Sequence, residues 1–177
     1  NITNSYCTID GYTEIPNLEI KVVYTDIISK WTTEYAKFPP LKLKELKEYM
    51  LEENREEIEK ILNTALQSMS FMDEHENFYH GYMLGLFVNF LNRAYIVKSN
   101  REAGSGRFDI MIEKVDRSIG VIVEFKVAKK DEDLEKVAED GKEQIYKKKY
   151  YEELKLDKVE KILTYSIAFK EKSCKVV

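Results

Sequence analysis

The sequence predicts a three-layer α/β fold, a mixed sheet with helices on both faces. Three observations carry that reading. Apolar residues at helical spacing fill the first half of the chain, the period switches toward two after residue 94, and a helical stretch then separates the third strand from the last. Helix, three strands, helix, strand is an order that places helices on both sides of one sheet. The chain has 177 residues, 44% hydrophobic and 34% charged, with 3 Pro and 7 Gly, which suits one domain and excludes collagen-like and wholly disordered classes.

Residues 1–16, with Gly11, Pro16 and Tyr6, Thr8, Ile9 and Tyr12, predict a short extended segment. From Asn17, a plausible N-cap, Ile20, Val23, Tyr24, Ile27, Ile28 and Trp31 fall at helical spacing, and Pro39-Pro40 must end that helix. Leu41, Leu43, Leu46, Tyr49 and Met50, then Ile58, Ile61, Leu62, Ala65, Leu66 and Met69, predict one or two amphipathic helices. The acidic run between them, Glu52-Glu53 and Glu56-Glu57, reads as a solvated face or a helix start.

Residues 76–94 predict a largely buried helix through Phe78, Tyr82, Met83, Leu86, Phe87, Phe90 and Leu91. Its Gly81 and Gly85 read as points of close packing, and Met50, Met69, Met72 and Met83 as core filler. Residues 95–97 and 108–112 predict the two strands of a hairpin turning at 103–106, and residues 120–127 a third strand. Residues 134–154 then predict one long helix, and 162–169 with 175–177 one or two final strands.

Several classes are excluded early. The longest apolar stretch, 81–91, is about half the ~20 residues a bilayer requires, so no membrane partner is expected. Cys7 and Cys174 lack metal-ligand spacing, which argues for a reduced cytoplasmic protein rather than a disulfide scaffold. The net charge of −4 gives no whole-molecule attraction to nucleic acid, so any such binding must use a local patch. The chain begins at Asn1 with no signal-like segment, and a piece of a longer protein is expected.

The chemistry concentrates in residues 120–127. Val121, Val123, Phe125 and Val127 share one face of a strand, whereas Glu124 and Lys126 interrupt the other. A carboxylate there costs several kcal/mol unless cations or hydrogen bonds compensate it. A plain Glu–Lys pair at a strand end would answer that need. A second acid offers another answer, because Asp109, on the face opposite Phe108, Ile110 and Ile112, would meet Glu124 across adjacent antiparallel strands. Two such acids repel by about 1–4 kcal/mol at ~4 Å, so a cation between them is expected, and hard oxygen ligands suit Mg²⁺ or Mn²⁺. Lys126 would then hold the attacking water and offset charge on a phosphoryl oxygen.

Asp109 with Glu124-Phe125-Lys126, and Glu76 on an upstream helix, resembles the D…(D/E)-x-K pattern of the PD-(D/E)XK nuclease superfamily. Residues 76–81 (ENFYHG), 99–109 (SNREAGSGRFD) and 144–150 (QIYKKKY) are similar to a bacterial branch fused behind an AAA-ATPase-like domain, and residues 15–20 (IPNLEI) resemble the junction where that domain ends. The resemblance implies a restriction-endonuclease-like core at 72–177, a helical extension at 17–71 and a remnant or linker of the ATPase-like domain at 1–16. It implies a nuclease using Mg²⁺ or Mn²⁺, with nucleic acid, DNA rather than RNA, as substrate and the ATPase-like domain of the same chain as partner. Self-association is left open.

Residue by residue, the resemblance makes Asp109 and Glu124 metal ligands, Glu76 an accessory acid and metal ligand, Lys126 the catalytic lysine, and Gln144 a group that positions phosphate or water. RecB-type relatives carry a Tyr four residues after the motif Gln. Here Lys148 occupies that place and the tyrosines are Tyr150 and Tyr151, so the Tyr role is unassigned. Nucleic-acid contact is expected of His80, Arg101, Arg107, Lys148 and Tyr150. His80, four residues after Glu76, either positions water or phosphate or is an ordinary hydrogen-bonded helix histidine. Arg101 and Arg107 either contact phosphate or pair with Glu102 and Asp109. Lys147-Lys148-Lys149, with neighbouring lysines and Tyr146, Tyr150 and Tyr151, form a basic, aromatic patch. The alternative to a nuclease is a nuclease-like module that binds nucleic acid or a partner without cutting.

Overall fold

The computed structural model describes residues 7–9, 12–14, 39–67, 76–90, 94–103 and 106–177. Strands β1 (Cys7–Ile9) and β2 (Tyr12–Glu14) pair antiparallel, with Thr8 opposite Thr13, so the extended segment expected near the N-terminus is present in these residues. The helix expected from Asn17 lies outside the described residues, as do Met69 and Met72.

The amphipathic block resolves into two helices, α1 (Pro40–Glu52) and α2 (Arg55–Gln67). Extended Pro39 precedes α1, and Glu53 ends it in the left-handed region at φ 61° while its N–H bonds back to the Tyr49 carbonyl. Asn54 caps α2 by accepting from the Glu57 N–H at 3.3 Å. Glu56 and Glu57 thus occupy the first turn, where the helix dipole favours anions, so this half of the acidic run is a helix start, whereas Glu52 and Glu53 close α1.

Helix α3 (Glu76–Leu86) is shorter than the helix expected over 76–94. From Phe87 to Phe90 the backbone tightens into a 3₁₀ turn. That turn eclipses residues three apart, bringing the buried rings of Phe87 and Phe90 to 6.2 Å and setting Phe90 edge-on to Tyr95 at 5.3 Å. Gly81 also departs from expectation. It is exposed, and a methyl group placed on it would meet nothing within 4 Å.

The sheet follows. Strands β3 (Tyr95–Ala103), β4 (Gly106–Lys114), β5 (Ile119–Val127), β6 (Lys161–Lys170) and β7 (Ser173–Val176) form one sheet in the order β3-β4-β5-β6-β7. All neighbours are antiparallel except β5 and β6, which run parallel with Glu124 beside Ser166 and Lys126 beside Ala168. The crossover between them is α4 (Leu134–Lys148), capped by the Asp133 side chain accepting from the Lys136 N–H, followed by the short α5 (Glu152–Leu156). The single helix expected over 134–154 is therefore broken. Lys149 turns left-handed at φ 57°, and the chain swings the Tyr150 side chain inward, where it is 1% exposed.

One face of the sheet, through Ile110, Ile112, Val121, Val123, Phe125, Tyr165 and Ile167, shares a core with α1, α2 and α3. The Tyr165 hydroxyl donates to the Met50 carbonyl at 2.6 Å, and Asn63 of α2 accepts from the Cys174 N–H at 2.8 Å while donating to its carbonyl at 3.1 Å. Met111 and Ile122 on the other face pack with Ile145, Tyr150 and Leu154. The three layers expected of the sequence are present. Among the described residues no helix is long and apolar enough to cross a membrane.

Candidate active site

Strand β5 alternates as its sequence requires. Val121, Val123 and Phe125 enter the core shared with α1 to α3, and Ile122 enters the one beneath α4. Glu124 and Lys126 therefore face α4. Glu124 is only 3% exposed, a placement that costs several kcal/mol for an uncompensated carboxylate. Compensation is visible at Glu124 Oε1, which accepts from Lys126 Nζ at 2.8 Å and from the Gln144 side-chain amide. That amide also donates to the Tyr150 hydroxyl at 3.0 Å. The break after α4 thus has a local use, because it turns the Tyr150 hydroxyl back toward Gln144.

Tyr150 packs its ring against Phe108, with centroids 6.4 Å apart. Burial raises its pKa first; the Gln144 hydrogen bond pulls it down, and the negative charges of Glu124 and Asp109 push it up again. Both acids therefore act on one hydroxyl. Gly106 makes the arrangement fit: a methyl group there would stand 3.2 Å from Tyr150 Cε1, from its hydroxyl and from Lys148 Cδ.

Asp109 arrives where β4 parts from β5. The last paired residues are Ile110 and Val123, and at the next step the Asp109 carboxylate replaces the backbone as partner, accepting from the Phe125 N–H at 2.7 Å. This anchors an Asp109 oxygen beside the peptide that joins Glu124 to Phe125. The expected face of Asp109 needs correction. Phe108 does not share the face of Ile110 and Ile112; it lies in the core under α4 with Met111 and Tyr150, so strict alternation fails next to Asp109. The acid sits in the gap between strands instead of projecting squarely from one face.

His80 of α3 closes the other side. Its Nδ1 lies 3.5 Å from Asp109 Oδ1, its Nε2 is 2.9 Å from Ser99 Oγ, and its ring stands edge-on to Phe125 at 5.6 Å. The histidine is hydrogen-bonded and also belongs to the site. Glu76, Arg101 and Arg107 are expected contributors whose side chains lie outside the described residues.

Two residues that the motif reading omits complete the site. Ser166 is fully buried beside Glu124 in the strand register, and its Oγ meets no hydrogen-bond partner among the described residues. Gly141 of α4 lies over it: a methyl group there would fall 2.2 Å from Ser166 Oγ and 3.0 Å from Lys126 Cγ. Helix α4 can approach the β5–β6 ridge only because this position lacks a side chain. A glycine inside a helix costs about 1 kcal/mol relative to alanine, which was the signal available in the sequence.

The donor chemistry fits a hard divalent cation. Asp109 and Glu124 both act on the Tyr150 hydroxyl and the buried Ser166 hydroxyl lies beside Glu124, and Mg²⁺ is commonly held by one or two carboxylates while keeping several waters. Among the described residues, which leave out the Glu76 side chain, no three His, Cys, Asp or Glu side chains group closely enough to hold a metal by themselves.

Comparison with curated proteins and with solved structures returned no match. A family model does match. Described as the PD-(D/E)XK nuclease superfamily, it covers residues 74–177, more than half of the chain, and so takes in α3, the whole five-stranded sheet and α4. With its mixed sheet between helical layers and Asp109, Glu124 and Lys126 at the parting of β4 and β5, the chain belongs to the PD-(D/E)XK nuclease superfamily and has a restriction-endonuclease-like fold.

Proposed function

We propose that this chain is a Mg²⁺- or Mn²⁺-dependent nuclease domain that hydrolyses phosphodiester bonds, in DNA rather than RNA, by attack of water on phosphorus. The observation that carries this reading is the chain of contacts from Lys126 through Glu124 and Gln144 to Tyr150, set beside the anchored carboxylate of Asp109. Asp109 and Glu124, with Glu76 as an accessory acid, would hold the ion, which when bound makes a water more acidic and neutralises charge on a phosphoryl oxygen.

The remaining work falls to the chain's own side chains. Lys126 uses one of three N–H donors on Glu124, leaving others for the attacking water and a non-bridging phosphoryl oxygen. Gln144 fixes the Glu124 carboxylate from the α4 side, and Tyr150 fixes Gln144, the place left open by the missing Tyr at position 148. The Phe125 N–H fixes Asp109, which keeps both acids preorganised. His80 bridges Asp109 to Ser99, and in this reading His80, Arg101, Arg107 and Lys148 contact phosphate.

In the same reading the chain is the C-terminal part of a bacterial, cytoplasmic protein of the ATPase-fused branch, with residues 1–16 as the junction, 17–71 as a helical extension and 72–177 as the nuclease core. The motif similarities at 15–20, 76–81, 99–109 and 144–150 support it. Purified protein is expected to nick plasmid DNA with Mn²⁺, and Asp109→Ala and Lys126→Ala to abolish nicking; undiminished activity in both variants refutes the reading. A second reading, a nuclease-like binding module that does not cut, draws on the net charge of −4 and on Lys148 standing where RecB-type relatives carry a Tyr. DNA binding with no Mn²⁺-dependent turnover would establish it.

A further inference from the structure

A cavity of about 410 Å³ opens where the parallel strands β5 and β6 end, lined by Tyr79, Val127, Ala128, Lys129, Lys130, Lys170 and Glu171. Its size falls within the ~300–1,000 Å³ range of ligand clefts. Its position is the crevice outside the carboxyl ends of adjacent parallel strands, where open α/β sheets bind ligands. Two of its lining residues adjoin candidate-site residues along the chain: Val127 directly follows Lys126, and Tyr79 directly precedes His80 on α3.

The walls are preorganised. Tyr79 stacks on Phe169 at 4.5 Å and donates its hydroxyl hydrogen to the Glu171 carbonyl at 2.9 Å. The loop after β5 is pinned by the Ala128 N–H on the Phe169 carbonyl and by the Lys129 N–H on Glu132 Oε2, each at 2.8 Å. Lys170 Nζ reaches the Glu132 carbonyl at 2.8 Å.

Charge gives the ligand class. Some lysines elsewhere are neutralised, Lys42 by Glu45 and Lys161 by Glu53 at 2.6 Å and Lys114 by Asp116 at 2.8 Å. Lys129 and Lys130 are exposed and have no ion-pair partner among the described residues. In a chain of net charge −4, a rigid pocket with uncompensated ammonium groups beside a phosphodiesterase centre is suited to polyanion. We propose that this pocket is a backbone-phosphate subsite, with Lys129 and Lys130, supported by Lys170, gripping the nucleic-acid strand at a phosphate flanking the one attacked. The proposal rests on the nuclease reading above.

The test is binding of a fluorescein-labelled DNA duplex in EDTA, where no cutting occurs, measured by anisotropy from about 50 to 200 mM salt. The Lys129→Gln/Lys130→Gln variant is expected to reduce the magnitude of the slope of log K against log salt by about 1.8, whereas Lys44→Gln, on α1, leaves it at the wild-type value. An unchanged slope in the double variant, an equal drop in Lys44→Gln, or no binding by the wild type overturns the subsite. Plasmid nicking by the wild type with Mn²⁺ separates the two ideas. Nicking with an unchanged slope removes the subsite and leaves the nuclease; a lowered slope without nicking leaves the subsite and removes the nuclease.

Discussion

Replacing Gly141 by alanine would place a methyl carbon 2.2 Å from Ser166 Oγ, 3.0 Å from Lys126 Cγ and 3.3 Å from Ser166 Cβ. Ser166 is fully buried and held in a paired strand, so it has little room to yield. Overpacking of this kind costs about 1–3 kcal/mol, and a contact this short belongs at the upper end. Alanine returns about 1 kcal/mol of helix propensity, leaving a net loss of about 2 kcal/mol and a Tm lower by roughly 4–8 °C for a domain of this size. Gly81→Ala is the matched control, because that helical glycine faces open space and alanine there gains about 0.5–1 kcal/mol. Ser166→Ala removes the closest atom, so the double variant with Gly141→Ala should recover about 1–2 kcal/mol of coupling. Urea unfolding followed by circular dichroism measures all four. If Gly141→Ala is as stabilising as Gly81→Ala, or shows no coupling to position 166, helix α4 does not press on the β5–β6 ridge as described. The same variant, by displacing Lys126, should slow cleavage more than its stability loss explains.

Tyr150→Phe removes the acceptor for the Gln144 amide and is expected to lose about 0.5–1.5 kcal/mol, with a lower kcat at nearly unchanged KM in the nicking assay. Asn63→Ala strips two hydrogen bonds from the edge strand β7 at Cys174 and is expected to cost about 1–3 kcal/mol in a urea melt. Burial pushes the Tyr165 hydroxyl up to about 12, with the nearby Arg55 cation working the other way, and burial raises Tyr82 as well. The folded chain then holds these protons above pH ~10, where the unfolded chain releases them. Stability is therefore complete below about pH 10 and falls as pH rises toward 12, and Tyr165→Phe should flatten that fall in urea midpoints taken at several alkaline pH values.

Strand β5 was legible because it is buried on both faces, so Glu124 and Lys126 stand out as the only charges in an apolar run. Their contact at 2.8 Å follows from spacing alone, since residues two apart on a strand share a face. Asp109 was legible as a partner by its distance along the hairpin, but not in its setting: the strands part at that residue and its side chain takes a backbone role, which period-two reasoning does not contain. The break at Lys149 left no mark in the sequence, having neither Gly nor Pro, because it is enforced by burying Tyr150 against Phe108 and Gly106. Ser166 carries meaning only as the partner of Gly141 across two elements, so the glycine within a helical run was the one mark this contact left in the sequence. The early end of α3 likewise reflects ring packing among Phe87, Phe90 and Tyr95 that no local propensity encodes.

Asp109 and Glu124 are proposed to serve one divalent cation, and calorimetric titration of Mn²⁺ into the purified protein measures that binding. Asp109→Asn keeps an acceptor for the Phe125 N–H and so preserves the local fold while removing the charge. The expected result is saturable Mn²⁺ binding by the wild type that weakens at least about tenfold, or 1.4 kcal/mol, in Asp109→Asn and likewise in Glu124→Gln. Equal Mn²⁺ affinity in all three proteins would contradict the claim.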